Sequence, residues 1–508
     1  MLLLSLLLYR VVLTIRKIEK EILASNGHVL ILATRSGDPA NTNVDGMKHP
    51  NREVYFFDQS FEVPFGEGGG DKAYHMAYSL SSSTKAKIKQ FNPTVMHMTG
   101  PDFTALALID FARKENIPLM GTYHSNYVDY LDHYPGIRWL KPLLRNALRF
   151  DYSFFQTLYV PTPFIKQHIM DSLEMHKCTD IQIWGRGIDI TKFSPKHRSQ
   201  EFRLKYGIES TDVVICFVGR LVIEKRLDIF AEVIQRLQKK EIKFKAIVVG
   251  SGPSLEILKN LPNTILTGWL NGSDLSMAYA SSDIFLFPSS VETFGNVTLE
   301  AAASGLPLIV ERKCSGHLVD ETQNPNGYLC DENDVDAYYK ATLSLIEDSE
   351  KRKCFSKNSR QLSLSYELHV INKQMIENYQ KTIDQFFDKY KGKHQNRDLE
   401  WEDTGFPLGT LPRPLIFIIS EYAIIMFLCT AFKIWVIFSS TKDNSTTKTR
   451  QNKKSTYNFK WLGRILTNIG DGPVLLYICQ IFAEFLVTFF RTGSMIEIFV
   501  MKTWEKLS

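Results

Sequence analysis

The stretch VVICFVGRLVIEKRLDIFAEVIQRLQKKEIKFKAIVVGSGP, residues 213–253, decides the fold. VVICFV is a continuous apolar, β-branched run of strand length, RLDIFAEVIQRLQKK repeats its apolar residues at helical spacing, and KAIVV is a second strand run. Two strands apolar on both faces and joined by a crossover helix predict a parallel sheet. The rhythm continues downstream through TILTGWL, DIFLFPS, LPLIVER and GYLC. A similar series runs upstream, through HVLILAT, REVYFF, TVMHMT, PLMGTYH, TLYVPT and IQIWGRG. The expected fold class is therefore α/β, with two doubly wound Rossmann-like domains at 1–188 and 189–387. Asp189–Phe202 reads as the connection between them, and the pattern turns helical from Gly327 to Phe387.

The 508 residues are 44% hydrophobic and 23% charged, the composition of an ordered globular chain. A net charge of +5 is too small over this length to point to a nucleic-acid partner. A small molecule or a membrane fits better. Seven cysteines stand at 178, 216, 314, 330, 354, 429 and 479 without a CxxC pair, so neither a disulfide framework nor a zinc site is expected. MLLLSLLLY resembles the apolar core of a signal segment, but Arg10 interrupts it early and no basic residue precedes it; a buried strand is the alternative.

Beyond a charged linker at 388–410, residues 411–508 carry two hydrophobic segments. Leu415–Phe432 has 18 residues and Val474–Phe490 has 17, marginal lengths for a transmembrane helix and equally compatible with helices lying in the interface. Seven Lys or Arg lie between them in residues 441–464, which would attract anionic headgroups. Those cations favour a cytosolic loop, whereas the sequon at Asn444 favours a lumenal one, so topology stays open. A membrane-associated chain with cytosolic catalytic domains is the expectation.

Two domains of this kind form a cleft lined by the carboxyl ends of their strands. After VVICFV come Gly219, Arg220 and Lys225: a glycine permitting close backbone approach, then two cations able to neutralise a diphosphate. After DIFLFP, Glu292 and Glu300 stand eight residues apart around a predicted helix start near Phe294, where free amides suit phosphate oxygens. A basic turn and a capping carboxylate explain either motif when it is taken alone.

Together, GR-x4-K, GSGP, GWL and E-x7-E after four successive strands resemble family 4 of the retaining glycosyltransferases, over roughly Val11 to Phe387. WGRGIDITKFSP, GTYHSN and FPSSVETFGNVTLEAAASGLPLIV look most like GDP-mannose-dependent α-mannosyltransferases, with sulfoquinovosyl and other lipid glycosyltransferases next. The resemblance implies the GT-B fold and transfer of a hexose, mannose from GDP-mannose, to a lipid or glycan acceptor. It implies that Arg220 and Lys225 bind the diphosphate, Glu300 the ribose and Glu292 the sugar. The amides of Phe294, Gly295 and Asn296 would face phosphate and sugar. His124 would stand beside the reacting sugar, and Arg186 and Gly187 near the donor. It further implies no metal, no other cofactor and no protein base. Asp334-Val335-Asp336 spells a metal-binding triplet but opens a helix, where capping accounts for it.

His97 reads as a structural strand-end residue facing the cleft, and Trp269 as core packing or a flank to the base. One departure matters. The family's first strand and Gly-rich loop are replaced by MLLLSLLLYR, and Gly68–Gly70 comes too late to be that loop. The rival expectations are a catalytically silent nucleotide-sugar-binding scaffold and a UDP-sugar-dependent enzyme. An NAD-dependent oxidoreductase is disfavoured because no strand is followed by GxGxxG.

Overall fold

A computed structural model describes residues 2–4, 9–33, 49–58, 60–62, 75–77, 80–99, 104–124, 126–130, 132, 138, 141–173, 175 and 180–389. The hydrophobic segments of the C-terminal tail, residues 390–410 of the 388–410 linker and Gly68–Gly70 lie outside them. Among the described residues no helix is long and apolar enough to cross a membrane.

The first sheet contains β1 (Leu2–Leu4), β2 (Val29–Ala33), β3 (Arg52–Phe56), β6 (Met96–Met98), β7 (Leu119–Thr122), β8 (Thr157–Val160) and β9 (Asp180–Ile183). Its order is β3-β2-β1-β6-β7-β8-β9, all parallel. The strands β4 (Ser60–Glu62) and β5 (His75–Ala77) form a separate antiparallel pair. The second sheet holds β10 (Val214–Val218), β11 (Lys245–Val249), β12 (Thr264–Gly268), β13 (Ile284–Phe287), β14 (Leu308–Glu311) and β15 (Gly327–Cys330), ordered β12-β11-β10-β13-β14-β15. Strand β10 sits at its centre, and every residue of β10, β13 and β14 is buried, as their unbroken apolar runs require.

The opening residues correct the concern that a strand is missing. Leu2–Leu4 pairs with β2 on one side and β6 on the other, so the first sheet has no gap at its centre. The segment 189–202 is not a free linker either: Phe193 and Phe202 belong to the second core, and the Arg360 guanidinium donates to the carbonyls of Ile190, Phe193 and Ala303.

The terminal helix, Leu368–Lys389, returns to the first sheet. Met375 and Tyr379 share a core with Ile15, Ile18 and Ile22 of the Tyr9–Ala24 helix and with Val29, Met120 and Tyr159. His97 lies in this seam, fully buried rather than facing the cleft. Its Nδ1 is 2.7 Å from the Tyr379 hydroxyl and its Nε2 2.5 Å from Thr122 Oγ1, so both ring nitrogens are satisfied. Removing one partner of a buried hydrogen bond costs about 1–3 kcal/mol. Tyr379→Phe should therefore lower the melting temperature by a few degrees in thermal denaturation; unchanged melting would show that the seam does not depend on this bond.

Candidate active site

The second-sheet wall is built from three turns at strand ends. After β10 the chain passes through Gly219 against the Gly250–Gly252 turn after β11. A Cβ on Gly250 would lie 1.9 Å from the Gly219 carbonyl oxygen, and one on Gly252 2.4 Å from that of Leu221, so only glycines allow the two turns to touch. Lys225, 6% exposed, ends a short 3-10 turn and sends its ammonium to Glu292 Oε1 at 2.5 Å, the Val291 carbonyl at 3.3 Å and Ser289 Oγ at 3.4 Å. Arg220 is half exposed, 3.6 Å from the buried Glu224.

Gly295 precedes the Asn296–Ala303 helix with φ +85°, and a Cβ there would also meet Ser315 Oγ at 2.4 Å. The helix start is pinned by Thr298 Oγ1 to Ser315 Oγ at 3.2 Å, leaving first-turn amides without intrahelical acceptors. Glu300, one turn in, accepts from the Tyr279 hydroxyl at 2.9 Å. Phe294 is buried against His317 and Tyr366, so only its backbone is available to a ligand.

The first-sheet wall carries His124, two residues beyond β7, and Arg186, three beyond β9. Arg186 Nη2 is 2.9 Å from His124 Nδ1. A guanidinium has no acceptor, so Nδ1 must accept, and the neutral imidazole carries its proton on Nε2. Burial, with Arg186 adding to it, holds His124 well below the usual histidine range. Burial lowers Arg186 to about 10. The two walls meet where Thr293 Oγ1 donates to the His124 carbonyl at 3.1 Å.

Gly187 serves the chain crossing: a Cβ there would sit 2.7 Å from Leu368 Cα. Trp269 is 59% exposed and so is not core. Asp334 caps its helix by accepting from the Ala337 amide, and Asp336 pairs with Arg236.

Sequence reading missed Lys17, Trp184 and His317. Lys17 donates to the Gly187 carbonyl at 3.1 Å, and burial lowers its pKa while Glu300 opposes that shift. Its place beside Ile15 and Ile18 on the Tyr9–Ala24 helix gave no sign of this, because i+2 neighbours normally face solvent. Trp184 lies under Arg186, 5.3 Å from guanidinium to ring centre.

Residues 198–362 match the family model described as glycosyl transferases group 1, and residues 20–192 match the one described as Glycosyltransferase Family 4. The sulfoquinovosyl transferase SQD2 of Arabidopsis thaliana is 28% identical over 334 residues, 64% of each chain. A GDP-mannose-dependent alpha-mannosyltransferase of Corynebacterium glutamicum is 29% identical over 273 residues, 53% of this chain and 63% of that one. The chain thus spans just under two thirds of these relatives. The fold resembles sucrose-phosphate synthase from Thermosynechococcus elongatus with TM-score 0.59 at 16% identity, covering 76% of this chain and 99% of that one. It also resembles WaaG, a glycosyltransferase involved in lipopolysaccharide biosynthesis, with TM-score 0.51 at 16% identity, covering 74% and 98%.

Among the described residues, three histidines are held neutral by burial: His97 at about 3, His317 at about 4, and His124 well below its normal value. Their folded pKa values lie below the unfolded value near 6.5, so the unfolded chain binds more protons and stability falls as pH drops through 6.5 toward 4. Each contributes a slope of about 1.4 kcal/mol per pH unit in that window. Urea melts between pH 7.5 and 4.5 should lose stability steeply, and His317→Gln should flatten the slope. A pH-independent midpoint would contradict the buried neutral assignment.

Proposed function

This chain belongs to glycosyltransferase family 4 and has the GT-B fold, and from that we propose a retaining hexosyltransferase that moves mannose from GDP-mannose to a lipid or glycan acceptor. The observation that carries the reading is the gathering of Lys225, Glu292, Glu300 and the Asn296–Ala303 helix start on one wall, joined to His124 through Thr293. In this reading Arg220 and Lys225 offset the charge that grows on the departing diphosphate, helped by the helix amides. Phosphate competes with Glu292 for the Lys225 ammonium, and the released carboxylate turns to sugar hydroxyls. Glu300 accepts from the ribose. His124 stands beside the reacting sugar, held there by Arg186. The leaving phosphate itself takes the acceptor proton, so no residue is assigned as base, and the cations do what a divalent ion does elsewhere. Closure of the two walls excludes water that would hydrolyse the donor.

The apolar runs at 415–432 and 474–490 and the basic stretch between them support membrane attachment through the tail, with the catalytic domains cytosolic. One sequence feature favours a second reading, a silent nucleotide-sugar-binding scaffold: Ser5–Leu8, which follows β1, contains no glycine. Donor binding without transfer, rescued by inserting a Gly-rich loop after Leu4, would select it.

Full-length protein given labelled GDP-mannose and membrane lipid should transfer label with EDTA present. Lys225→Ala and Glu300→Ala should each lower kcat/KM by about 100-fold or more, while circular dichroism stays unchanged. Transfer from UDP-glucose but not GDP-mannose would reassign the donor, and a strict manganese requirement would count against the mechanism.

A further inference from the structure

Arg186 presents a problem of charge that the proposed reaction leaves unsolved. It is 6% exposed, and no carboxylate among the described residues pairs with it. One nitrogen, Nη2, reaches His124, while Nη1 is buried with no hydrogen-bond partner among the described residues. Leaving a buried cation without a counter-ion is strongly unfavourable. The cations of the other wall are compensated: Lys225 by Glu292, Arg220 by Glu224.

Two more donors in the same cluster are idle. Trp184, 3% exposed, has its indole Nε1–H buried without a partner among the described residues, and so does His124 at Nε2. Trp184 packs edge-on against His124, ring centres 6.5 Å apart, with the Arg186 guanidinium 5.3 Å from the indole. Lys17 adds a further cation from the Tyr9–Ala24 helix, hydrogen-bonded to the neighbouring Gly187 carbonyl. An indole N–H and a guanidinium are donors only, and the His124 tautomer makes its free nitrogen a donor too. A cluster made only of donors and carrying fixed positive charge matches a group made only of acceptors and carrying negative charge.

We propose that Arg186, Trp184 and His124 form a second oxyanion site on the first-sheet wall, which takes a phosphate-type group from the side away from Lys225 and Arg220. This rests on the reading of the region as a substrate cleft, and deepens it. The group has two possible sources with one chemistry: the donor's diphosphate, gripped from its other side, or a phosphate carried by the acceptor. Trp184 supplies direction, Arg186 the charge, and His124 couples the site to the loop that meets Thr293.

Inorganic phosphate is the first probe, because its effect on melting requires no turnover. In a Lys225→Ala background, which weakens the other phosphate site, full-length protein should melt at higher temperature as phosphate is added. Arg186→Met should abolish that increment, Arg186→Lys should keep part of it, and Trp184→Phe should reduce it. An increment equal with and without Arg186 overturns the proposal. The source is then read with Lys225 intact. A 10- to 100-fold loss of GDP affinity in Arg186→Met assigns the site to the donor diphosphate. Unchanged GDP affinity with a similar loss of transfer to vesicles containing phosphatidic acid, and none to diacylglycerol, assigns it to the acceptor. Loss in neither arm overturns the proposal. Failure of the wild-type chain to transfer any hexose would sink the proposed function while leaving the phosphate-dependent melting to stand or fall by itself.

Discussion

The chain passes between the two sheets twice, and two backbone hydrogen bonds hold the passages together. The Ile188 amide donates to the Tyr366 carbonyl at 2.8 Å, and the Leu368 amide donates to the Ile188 carbonyl at 3.0 Å. This short parallel bridge demands that the neighbouring strands of chain approach within contact, and Gly187 permits it by having no side chain. On either side of the bridge stand the groups that matter: Arg186 immediately before it, Tyr366 packed edge-on against Phe294, and the Leu368–Lys389 helix returning to the first sheet. Because the bridge fixes both passages at one point, it fixes which residues of the two walls can face each other.

The terminal helix turns that local tie into a large buried seam. Its apolar residues Met375 and Tyr379 share a core with the Tyr9–Ala24 helix and with residues of β2, β7 and β8, and its polar residues Asn372, Tyr379 and Thr382 meet Lys17, His97 and Thr157. A seam of this kind resists separation of the sheets, and on the cleft side Thr293 meets the His124 carbonyl.

Most of the fold was legible because parallel strands buried on both faces have little freedom in composition. Each apolar run read as a strand from residue 28 onward falls on one of the described strands. What escaped reading was pairing and return. Leu2–Leu4 looked like a fragment of a targeting segment, since nothing local distinguishes a three-residue central strand from a leucine-rich stretch; only its partners β2 and β6 make it one. The return of the terminal helix escaped for the same reason, as its amphipathic pattern tells that it packs but not against what. At the site, Arg220, Lys225, Glu292 and Glu300 were visible because they follow strands at fixed offsets. Trp184 and Lys17 were not, because a tryptophan near a strand end and a lysine on a helix have ordinary explanations that only contacts remove.

The electrostatics of the two walls differ in a way that bears on the order of events. Lys225 is already neutralised by Glu292 at 2.5 Å, so a phosphate arriving there exchanges one anionic partner for another and gains only the difference. Arg186 has no anionic partner among the described residues to give up, so an anion arriving at its unpartnered Nη1 relieves a buried charge without displacing a carboxylate. The uncompensated cation therefore contributes the larger share to initial affinity, and the compensated one contributes where a carboxylate must be released only once the ligand is seated. In the proposed reaction, a site that binds through one wall and rearranges an ion pair in the other would keep Glu292 withdrawn until the sugar is present, so that its carboxylate reaches the hydroxyls late, when water has already been displaced from the cleft.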